Sequence, residues 1–272
     1  MKPTGMIASE WLGSFKEGAP VMVCVHGFTG TKKTFAAIAD LLPDYNWLAL
    51  DCLGHGESAI AIAARHYRYE AVIDTLAATV KSLGVDTYHL LGYSMGARLA
   101  LGWAIKYPER IQSLLLESGS PGLASEKERR ERQQSDMRLA QKVEQEGIRE
   151  FVTYWEQLPL FATQTRLPQA LIDQVRNERL SQNPQGLATS LREMGTGSQP
   201  SYWQALATLV LPVLLIVGKQ DPKFVAIAQK MKAALPQGVL QVIAAGHCVH
   251  LEQPYAFAQV VRHWLDEQGE TR

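Results

Sequence analysis

The stretch LLGYSMGARLAL, at residues 90–101, decides the fold class of this chain. Its centre, Gly92-Tyr93-Ser94-Met95-Gly96, places a serine between two glycines. An apolar run typical of a buried strand precedes the serine, and apolar residues at helical spacing follow it. A serine on a tight turn between a strand and a helix is the arrangement of a nucleophile elbow, which exposes the side chain at the carboxyl end of a sheet. The alternative is a glycine-rich turn with no catalytic role.

Six apolar runs predict the strands of a parallel sheet, because parallel strands buried on both faces are nearly continuously apolar. These runs are residues 20–25, 47–50, 88–91, 113–116, 212–217 and 240–243. Helical spacing at residues 34–42, 70–83, 95–107 and 255–265 alternates with them. This alternation predicts an α/β fold, with a mostly parallel sheet flanked by helices.

Residues 122–202 interrupt the alternation because they contain no strand-like run. Helical propensity is found at residues 125–147, with Gly147 as a stop, and at 149–156 and 169–180, before a loop at 194–201. We predict a helical cap subdomain at residues 122–202, inserted into a core of residues 1–121 and 203–272. Ordinary crossover helices are the alternative, although one crossover rarely needs about 80 residues.

The loop after the first strong strand reads His26-Gly27-Phe28. A loop at this place can donate a backbone N–H to an oxyanion, together with the residue that follows the serine. We therefore predict an oxyanion hole from the amides of Phe28 and Met95. His26 is either an ordinary loop residue or a contact to polar groups of a substrate. The later turn DCLGHGES, at residues 51–58, is interpreted as structural, because Asp51 precedes the serine.

The chain order serine, acid, histidine predicts the other two members of a triad. Asp221 stands just beyond the run at 212–217, where the acid of the triad belongs, although an Asp-Pro turn would explain it too. The segment GHCVHLE, at residues 246–252, offers two histidines after the last strand. We favour His247, because a Gly-His step directly follows the strand, and we keep His250 as the alternative.

Composition limits the classes of function. The chain has 272 residues, with 27 basic and 27 acidic residues, so nothing indicates binding to nucleic acid. No apolar run is long enough to cross a membrane, and the start of the chain lacks the apolar region of a secretory signal. Its three cysteines are far apart and odd in number, which favours reduced thiols in a cytoplasmic protein. We expect a monomer or a weak homo-oligomer.

These motifs resemble the α/β-hydrolase superfamily throughout both core segments. Many of its members carry an extra strand pair before the first loop, but only about twenty residues precede His26 here, so we expect a trimmed sheet edge. A narrower family is similar to this chain in the phrases GYSMGAR, ESGSPGL, RQQSD, FVTYWEQLPLF, SLREMGTGSQPS and GKQDPKF. It is the family of 2-succinyl-6-hydroxy-2,4-cyclohexadiene-1-carboxylate synthases, which act in menaquinone or phylloquinone biosynthesis.

The resemblance implies a lyase that expels pyruvate from a small anionic cyclohexene with several carboxylates, without a metal ion or an organic cofactor. It maps the family's triad onto Ser94, Asp221 and His247. It maps the carboxylate-binding arginines onto Arg98, Arg132 and Arg179, with Arg176 as the rival of Arg179. Other positions that match residues near the substrate in this family are Tyr93 and Trp155.

The distribution of arginine agrees with an anionic substrate. Residues 122–202 hold nine of the fifteen arginines but two of the twelve lysines, and the planar arginine fork binds carboxylates in a bidentate way. Most of these arginines are nevertheless expected on solvated helix faces, paired with the eleven acids of the same stretch. Two alternatives stay open: a carboxylesterase or carbon–carbon bond hydrolase, and a non-catalytic ligand-binding protein on the same scaffold.

Overall fold

The computed structural model describes residues 6–60 and 62–270, and within these residues seven strands form one sheet. Its order is β1-β3-β2-β4-β5-β6-β7, in which β1 pairs antiparallel with β3 and all other pairs are parallel. The strands are β1 (Ser9–Leu12), β2 (Val21–Val25), β3 (Asn46–Leu50), β4 (Tyr88–Tyr93), β5 (Ile111–Glu117), β6 (Val213–Gly218) and β7 (Gly238–Ile243). The predicted α/β fold is confirmed.

The antiparallel strand β1 corrects one expectation. Glu10 pairs with Ala49 and Trp11 with Leu48, so a strand occupies the sheet edge that was expected to be trimmed. None of the four residues of β1 is fully buried. Because an exposed edge strand needs no continuous apolar run, its sequence carried little signal.

Helices cover both faces of the sheet, and most of them lie in intervals that the sequence predicted. They are α1 (Ala36–Leu41), α2 (Tyr69–Ser82), α3 (Met95–Lys106), α4 (Glu126–Glu156), α5 (Gln169–Leu180), α6 (Pro184–Met194), α7 (Pro222–Ala234), α8 (Val249–Glu252) and α9 (Pro254–Glu270). Helices α6 and α7 were not predicted. Within the described residues, every helix is too short or too polar to span a lipid bilayer.

The side chains of each central strand alternate between two cores. Leu114 and Leu116 of β5 join the core that contains Ile73 of α2 and Trp103 of α3. Leu115 lies in the opposite core with apolar residues of α1 and α9. Every residue of β4 and β6 is buried, which is why the sequence shows continuous rather than alternating apolar runs there.

Helices α4, α5 and α6 form the connection between β5 and β6, and no strand lies among residues 122–202, all of which the structure describes. Ser125 and Glu128 form a reciprocal capping box at the start of α4. The predicted stop at Gly147 is a break within α4, because this residue adopts φ 80° and ψ 176°. Phe151, Val152 and Leu187 belong to a small separate core between α4 and α6. The exact boundaries of a cap subdomain stay a prediction.

Candidate active site

Ser94 stands on a sharp turn between β4 and α3. Its backbone has φ 51° and ψ −104°, a strained conformation for a residue other than glycine. The flanking glycines allow this turn, because a Cβ on Gly92 would clash with the carbonyl group of Gly96, and one on Gly96 with that of Val25. The elbow predicted from the sequence therefore has the geometry that exposes a serine at the carboxyl end of the sheet.

Ser94, His247 and Asp221 form one chain of hydrogen bonds. Ser94 Oγ lies 2.9 Å from His247 Nε2, and His247 Nδ1 lies 2.7 Å from Asp221 Oδ2. A carboxylate only accepts, so Nδ1 carries the proton and Nε2 is free to accept the hydroxyl proton of the serine. The other oxygen of Asp221 caps α7 by accepting the N–H of Phe224 at 3.3 Å. This arrangement can raise the basicity of the serine oxygen.

His250, the alternative base, lies elsewhere in the site. Its Nδ1 is 2.7 Å from Glu117 Oε2, and its Nε2 lies 3.6 Å from the Cys248 sulfur. It makes no hydrogen bond with Ser94 in the part of the chain that the structure describes. Between the two histidines of this segment, the geometry of a triad therefore belongs to His247.

His26 has no access to the cavity at the triad, so the predicted substrate contact is not supported. Its side chain is buried, its Nδ1 donates to the Gly27 carbonyl at 2.7 Å, and its Nε2 accepts the Cys52 N–H at 2.9 Å. Burial is the main cause of the lowered pKa of His26, against the opposing effect of Asp51. The neutral side chain of His26 connects the loop after β2 with the loop after β3, so its role is structural.

The two predicted oxyanion donors, Phe28 and Met95, both line the cavity that contains Ser94. Neither backbone N–H has an acceptor within the described residues, apart from contacts inside helices. Met95 is the first residue of α3, where free N–H groups and the helix dipole favour negative charge. The role of these amides in an oxyanion hole stays a prediction.

A cavity of about 510 Å³ opens over the triad and is covered by residues of α4 and α6. Arg98, Arg132, Tyr93 and Trp155 line it together with Ser94 and His247. The indole N–H of Trp155 is buried and has no hydrogen-bond acceptor within the described residues. The cavity thus combines aromatic walls with two cations, which suits a ring that carries anionic groups.

Arg98 stands one helical turn after the serine, and its N–H donates to the Ser94 carbonyl at 3.1 Å. Its guanidinium donates to the Met194 carbonyl at 3.3 Å and forms no ion pair with a carboxylate of the described residues. Burial is the main cause of the lowered pKa of Arg98, Tyr69 opposes that shift, and the neighbouring Arg132 adds to it. A half-buried guanidinium without an ion-pair partner gains a charge-assisted hydrogen bond when an anion binds, so this position favours an anionic ligand.

Arg132 is held by Asp136, the last residue of the phrase RQQSD, although the sequence analysis did not predict this pair. Its Nε donates to Asp136 Oδ1 at 2.7 Å, and the other oxygen of Asp136 accepts the Gly197 N–H at 3.2 Å. Asp136 is buried, whereas the Arg132 side chain is about 40% exposed. The terminal nitrogens of Arg132 have no acceptor within the described residues. The spacing of four residues on a helix was the available signal for this pair.

Arg179 lies beside the main cavity rather than in it. It lines a neighbouring cavity of about 90 Å³, which shares the walls Tyr93 and Phe161 with the larger one. Its terminal nitrogens donate to Glu156 at 3.3 Å and to Gln164 at 2.9 Å. Its rival Arg176 is paired with Glu156 and Thr153 and lines neither cavity. Of these two arginines, Arg179 is the nearer to the site.

Comparisons with known proteins agree with this geometry. A family model described as the alpha/beta hydrolase fold matches residues 20–254. A provisionally named 2-succinyl-6-hydroxy-2,4-cyclohexadiene-1-carboxylate synthase of Bacillus subtilis (strain 168) is 43% identical over 245 residues, which cover 90% of this chain and 89% of that protein. The 2-succinyl-6-hydroxy-2,4-cyclohexadiene-1-carboxylate synthase of Enterobacter sp. (strain 638) is 33% identical over 247 residues, or 89% and 90% of the two chains.

Two solved structures are similar over nearly the whole chain. MenH from S. aureus has a TM-score of 0.90 and 34% identity, and the match covers 96% of this chain and 98% of that one. A thermophilic esterase from Thermogutta terrifontis, solved with malate bound, has a TM-score of 0.81 and 28% identity over 96% and 93% of the two chains. The fold is therefore shared with enzymes of more than one activity.

Proposed function

The chain belongs to the α/β hydrolase superfamily and, within it, to the family of 2-succinyl-6-hydroxy-2,4-cyclohexadiene-1-carboxylate synthases, and on this premise we propose how it works. It eliminates pyruvate from 2-succinyl-5-enolpyruvyl-6-hydroxy-3-cyclohexene-1-carboxylate, here called the enolpyruvyl substrate. The product is 2-succinyl-6-hydroxy-2,4-cyclohexadiene-1-carboxylate. The reaction is a redox-neutral loss of one proton and one leaving group, so we expect it to proceed without a metal ion or an organic cofactor.

One observation carries the proposal: Arg98 and Arg132 line the same cavity as Ser94 and His247. A hydrolase of neutral esters needs the triad but has no use for two cations beside it. A substrate with three carboxylates does need them, because charge-assisted hydrogen bonds from guanidinium groups are among the strongest that a protein makes. Tyr93 and Trp155 are proposed as the walls that hold the ring.

The triad is proposed to remove the proton. His247, oriented by Asp221, accepts the hydroxyl proton of Ser94, and the serine oxygen takes a proton from the ring carbon next to the succinyl ketone. In this role the serine is a base and forms no covalent bond to the substrate. Its 2.9 Å distance to His247 Nε2 supports direct transfer between these two groups.

The electrons of the broken C–H bond then leave through the ring. Negative charge develops on the ketone oxygen, where the N–H groups of Phe28 and Met95 are proposed to stabilise it. A double bond forms between the deprotonated carbon and its neighbour in the ring, the ring alkene shifts by one bond to reach the carbon that bears the enolpyruvyl group, and the C–O bond of that carbon breaks. The enolate of pyruvate departs and takes up a proton to become pyruvate, and the release of one proton from His247 balances this uptake and restores the triad. Arg98 and Arg132 keep the anionic groups fixed throughout.

We also propose a cellular compartment and an oligomeric state for the protein. Its three cysteines are buried and form no disulfide bond, which supports a reducing compartment such as the cytoplasm. We expect a monomer or a weak homo-oligomer that acts on a small molecule.

The decisive experiment supplies freshly prepared enolpyruvyl substrate to the purified protein. We expect new absorbance from the conjugated dienone product, together with one pyruvate per turnover measured by lactate dehydrogenase. Ser94→Ala is the control, and loss of the base should lower kcat by about 10²- to 10⁴-fold.

Other outcomes would favour the alternatives. Efficient hydrolysis of neutral esters with no release of pyruvate would indicate an esterase, and an acyl-enzyme at Ser94 during turnover would contradict its role as a base. Failure of a serine-directed phosphonate to label Ser94 would point to a ligand-binding protein without catalysis.

A further inference from the structure

A carboxylate that the proposed reaction does not use lies directly beneath the triad. Glu117 is the last residue of β5, its partner in register on β4 is Tyr93, and it is fully buried. Its backbone carbonyl accepts the N–H of Ser94 at 2.9 Å. Glu117 therefore holds the backbone of the strained residue whose side chain is the proposed base.

The side chain of Glu117 binds His250, three residues beyond the triad histidine His247. Oε1 accepts the backbone N–H of His250 at 3.1 Å, and Oε2 accepts the ring Nδ1–H of His250 at 2.7 Å. The next residue, Ser118, donates its hydroxyl to the carbonyl of His247 at 2.7 Å. Two consecutive residues thus connect the turn of Ser94 with the segment that carries His247.

The ring of His250 extends this connection to the wall of the cavity. Its centroid lies 4.9 Å from the ring of Tyr93, which is itself 5.6 Å from the ring of His247. Phe35, which belongs to the same core as Tyr93, also packs against His250, with ring centroids 4.7 Å apart. Tyr93 therefore lies between two imidazoles, one in the triad and one bound to Glu117.

Charge makes the contact strong. Burial lowers the pKa of His250, but Cys248 and the Glu117 carboxylate more than offset this effect, and the pKa is raised well above its ordinary value. A charged imidazole donating to a carboxylate gives a charge-assisted bond. Removing one partner would leave an uncompensated polar group in the interior, which is far more costly than removing both.

We propose that Glu117 and His250 are positioning residues: this buried pair keeps the Ser94 turn and the His247 segment in register, without contacting the substrate. The inference rests on the proposed function, because it concerns the same triad. Its physical basis is that proton transfer needs the serine and the imidazole within hydrogen-bond distance, and a misplacement of about 1 Å can cost about 100-fold in rate.

The test compares Glu117→Gln, His250→Leu and the double variant. Each single change should lower kcat by about 10- to 100-fold, while KM stays within about twofold because Arg98 and Arg132 are untouched. The kcat of the double variant should be no lower than that of the slower single variant, because the effects of two residues that act as a unit are not additive. The double variant has no charge at these two buried positions, so it can be assayed if a single variant fails to fold. His250→Gln, which keeps a donor for Glu117, should recover part of the rate.

A matched control separates positioning from stability. Asn46→Ala removes another buried polar side chain, whose amide donates to the Lys16 and Ala19 carbonyls near the opposite end of the sheet. It should lower the melting temperature and leave kcat per folded molecule unchanged. An unchanged kcat in the folded Glu117 and His250 variants, or losses confined to KM, would overturn the proposal.

A second readout does not depend on the substrate. A p-nitrophenyl phosphonate forms a P–O bond with an activated serine and releases p-nitrophenolate, so its rate of reaction reports how well His247 activates Ser94. Slower labelling of the folded variants supports the positioning role even if wild-type protein releases no pyruvate, in which case only the proposed function fails. Labelling at the wild-type rate contradicts the positioning role.

Discussion

The end of the sheet and the helical segment above it hold their functional side chains in different ways. At the sheet, Ser94, His247 and Asp221 are bound to one another at 2.7 to 2.9 Å, so the triad is complete without a ligand. Above it, the terminal nitrogens of Arg132 have no acceptor within the described residues, and those of Arg179 are bound to Glu156 and Gln164.

This difference corresponds to two tasks. Proton transfer tolerates little movement, so its groups are fixed by loops at the ends of neighbouring strands. Binding of carboxylates requires guanidinium N–H groups that are not already bound to the protein. The three arginines differ in how many such groups they have. Arg98 lies on α3, a helix that packs against the sheet, and its side chain lines the cavity of the site. The three arginines should therefore differ in their contributions in the order Arg98, Arg132, Arg179.

The largest effect is expected for Arg98→Ala. Its side chain is half-buried and forms no ion pair with a carboxylate of the described residues, so it can bind an anionic group beside Ser94. Loss of a charge-assisted hydrogen bond worth about 1.5–3 kcal/mol should lower kcat/KM for the enolpyruvyl substrate by about 10- to 100-fold. Arg98→Lys keeps the charge but not the planar fork, so it should restore only part of the activity.

A neutral ester provides the control for Arg98. Hydrolysis of p-nitrophenyl acetate, if it is measurable, should be almost the same in Arg98→Ala and in the wild type. Equal losses for the neutral ester and the anionic substrate would mean that Arg98 supports the structure of the elbow rather than binding a carboxylate.

The sequence predicted the triad because each member is tied to a local pattern. The turn at Ser94 needs glycines at positions 92 and 96 to avoid clashes with the backbone, and such sterically required residues are visible in one sequence. The central strands were predicted from another local requirement, because burial on both faces requires apolar residues throughout the strand. Helix α7 was missed although Asp221 and Pro222 form its start, because the Asp-Pro step was interpreted as a triad acid or a turn and not as the beginning of a helix.

The sequence could not predict pairs that only the fold brings together. Glu117 and His250 are 133 positions apart, and nothing near either residue indicates the other. His26 was expected near the substrate because of its place in the chain, but the approach of Cys52 from another loop occupies its ring nitrogen. The same limit applies to Arg179, whose access to the site depends on how α5 packs against Phe161.

A smaller effect is expected for Arg132→Ala, with Arg130→Ala as its matched control on the same helix. Arg132 lines the cavity and is braced by Asp136, whereas Arg130 is exposed and pairs with Glu126. Removal of Arg132 should raise KM by about 10-fold, because the substrate loses about one charge-assisted hydrogen bond in a partly exposed position. Arg130→Ala should leave both kcat and KM unchanged in steady-state assays. Equal effects of the two changes would show that general positive charge, rather than a placed guanidinium, binds the substrate.

The smallest effect is expected for Arg179→Ala, and Arg176→Ala decides between the two rivals. Arg179 must exchange a bond to Glu156 or Gln164 before it can bind a substrate carboxylate, so its net contribution is the difference between two similar interactions. We expect KM to rise by about threefold in Arg179→Ala and to stay constant in Arg176→Ala, because net gains from exchanged hydrogen bonds are about 0.5–1.5 kcal/mol. Both variants lose a partner of Glu156, so their melting temperatures should fall by similar amounts. A larger loss in Arg176→Ala than in Arg179→Ala would reverse the assignment, and a loss for Arg179 as large as that for Arg98 would show that the substrate draws its side chain into the main cavity.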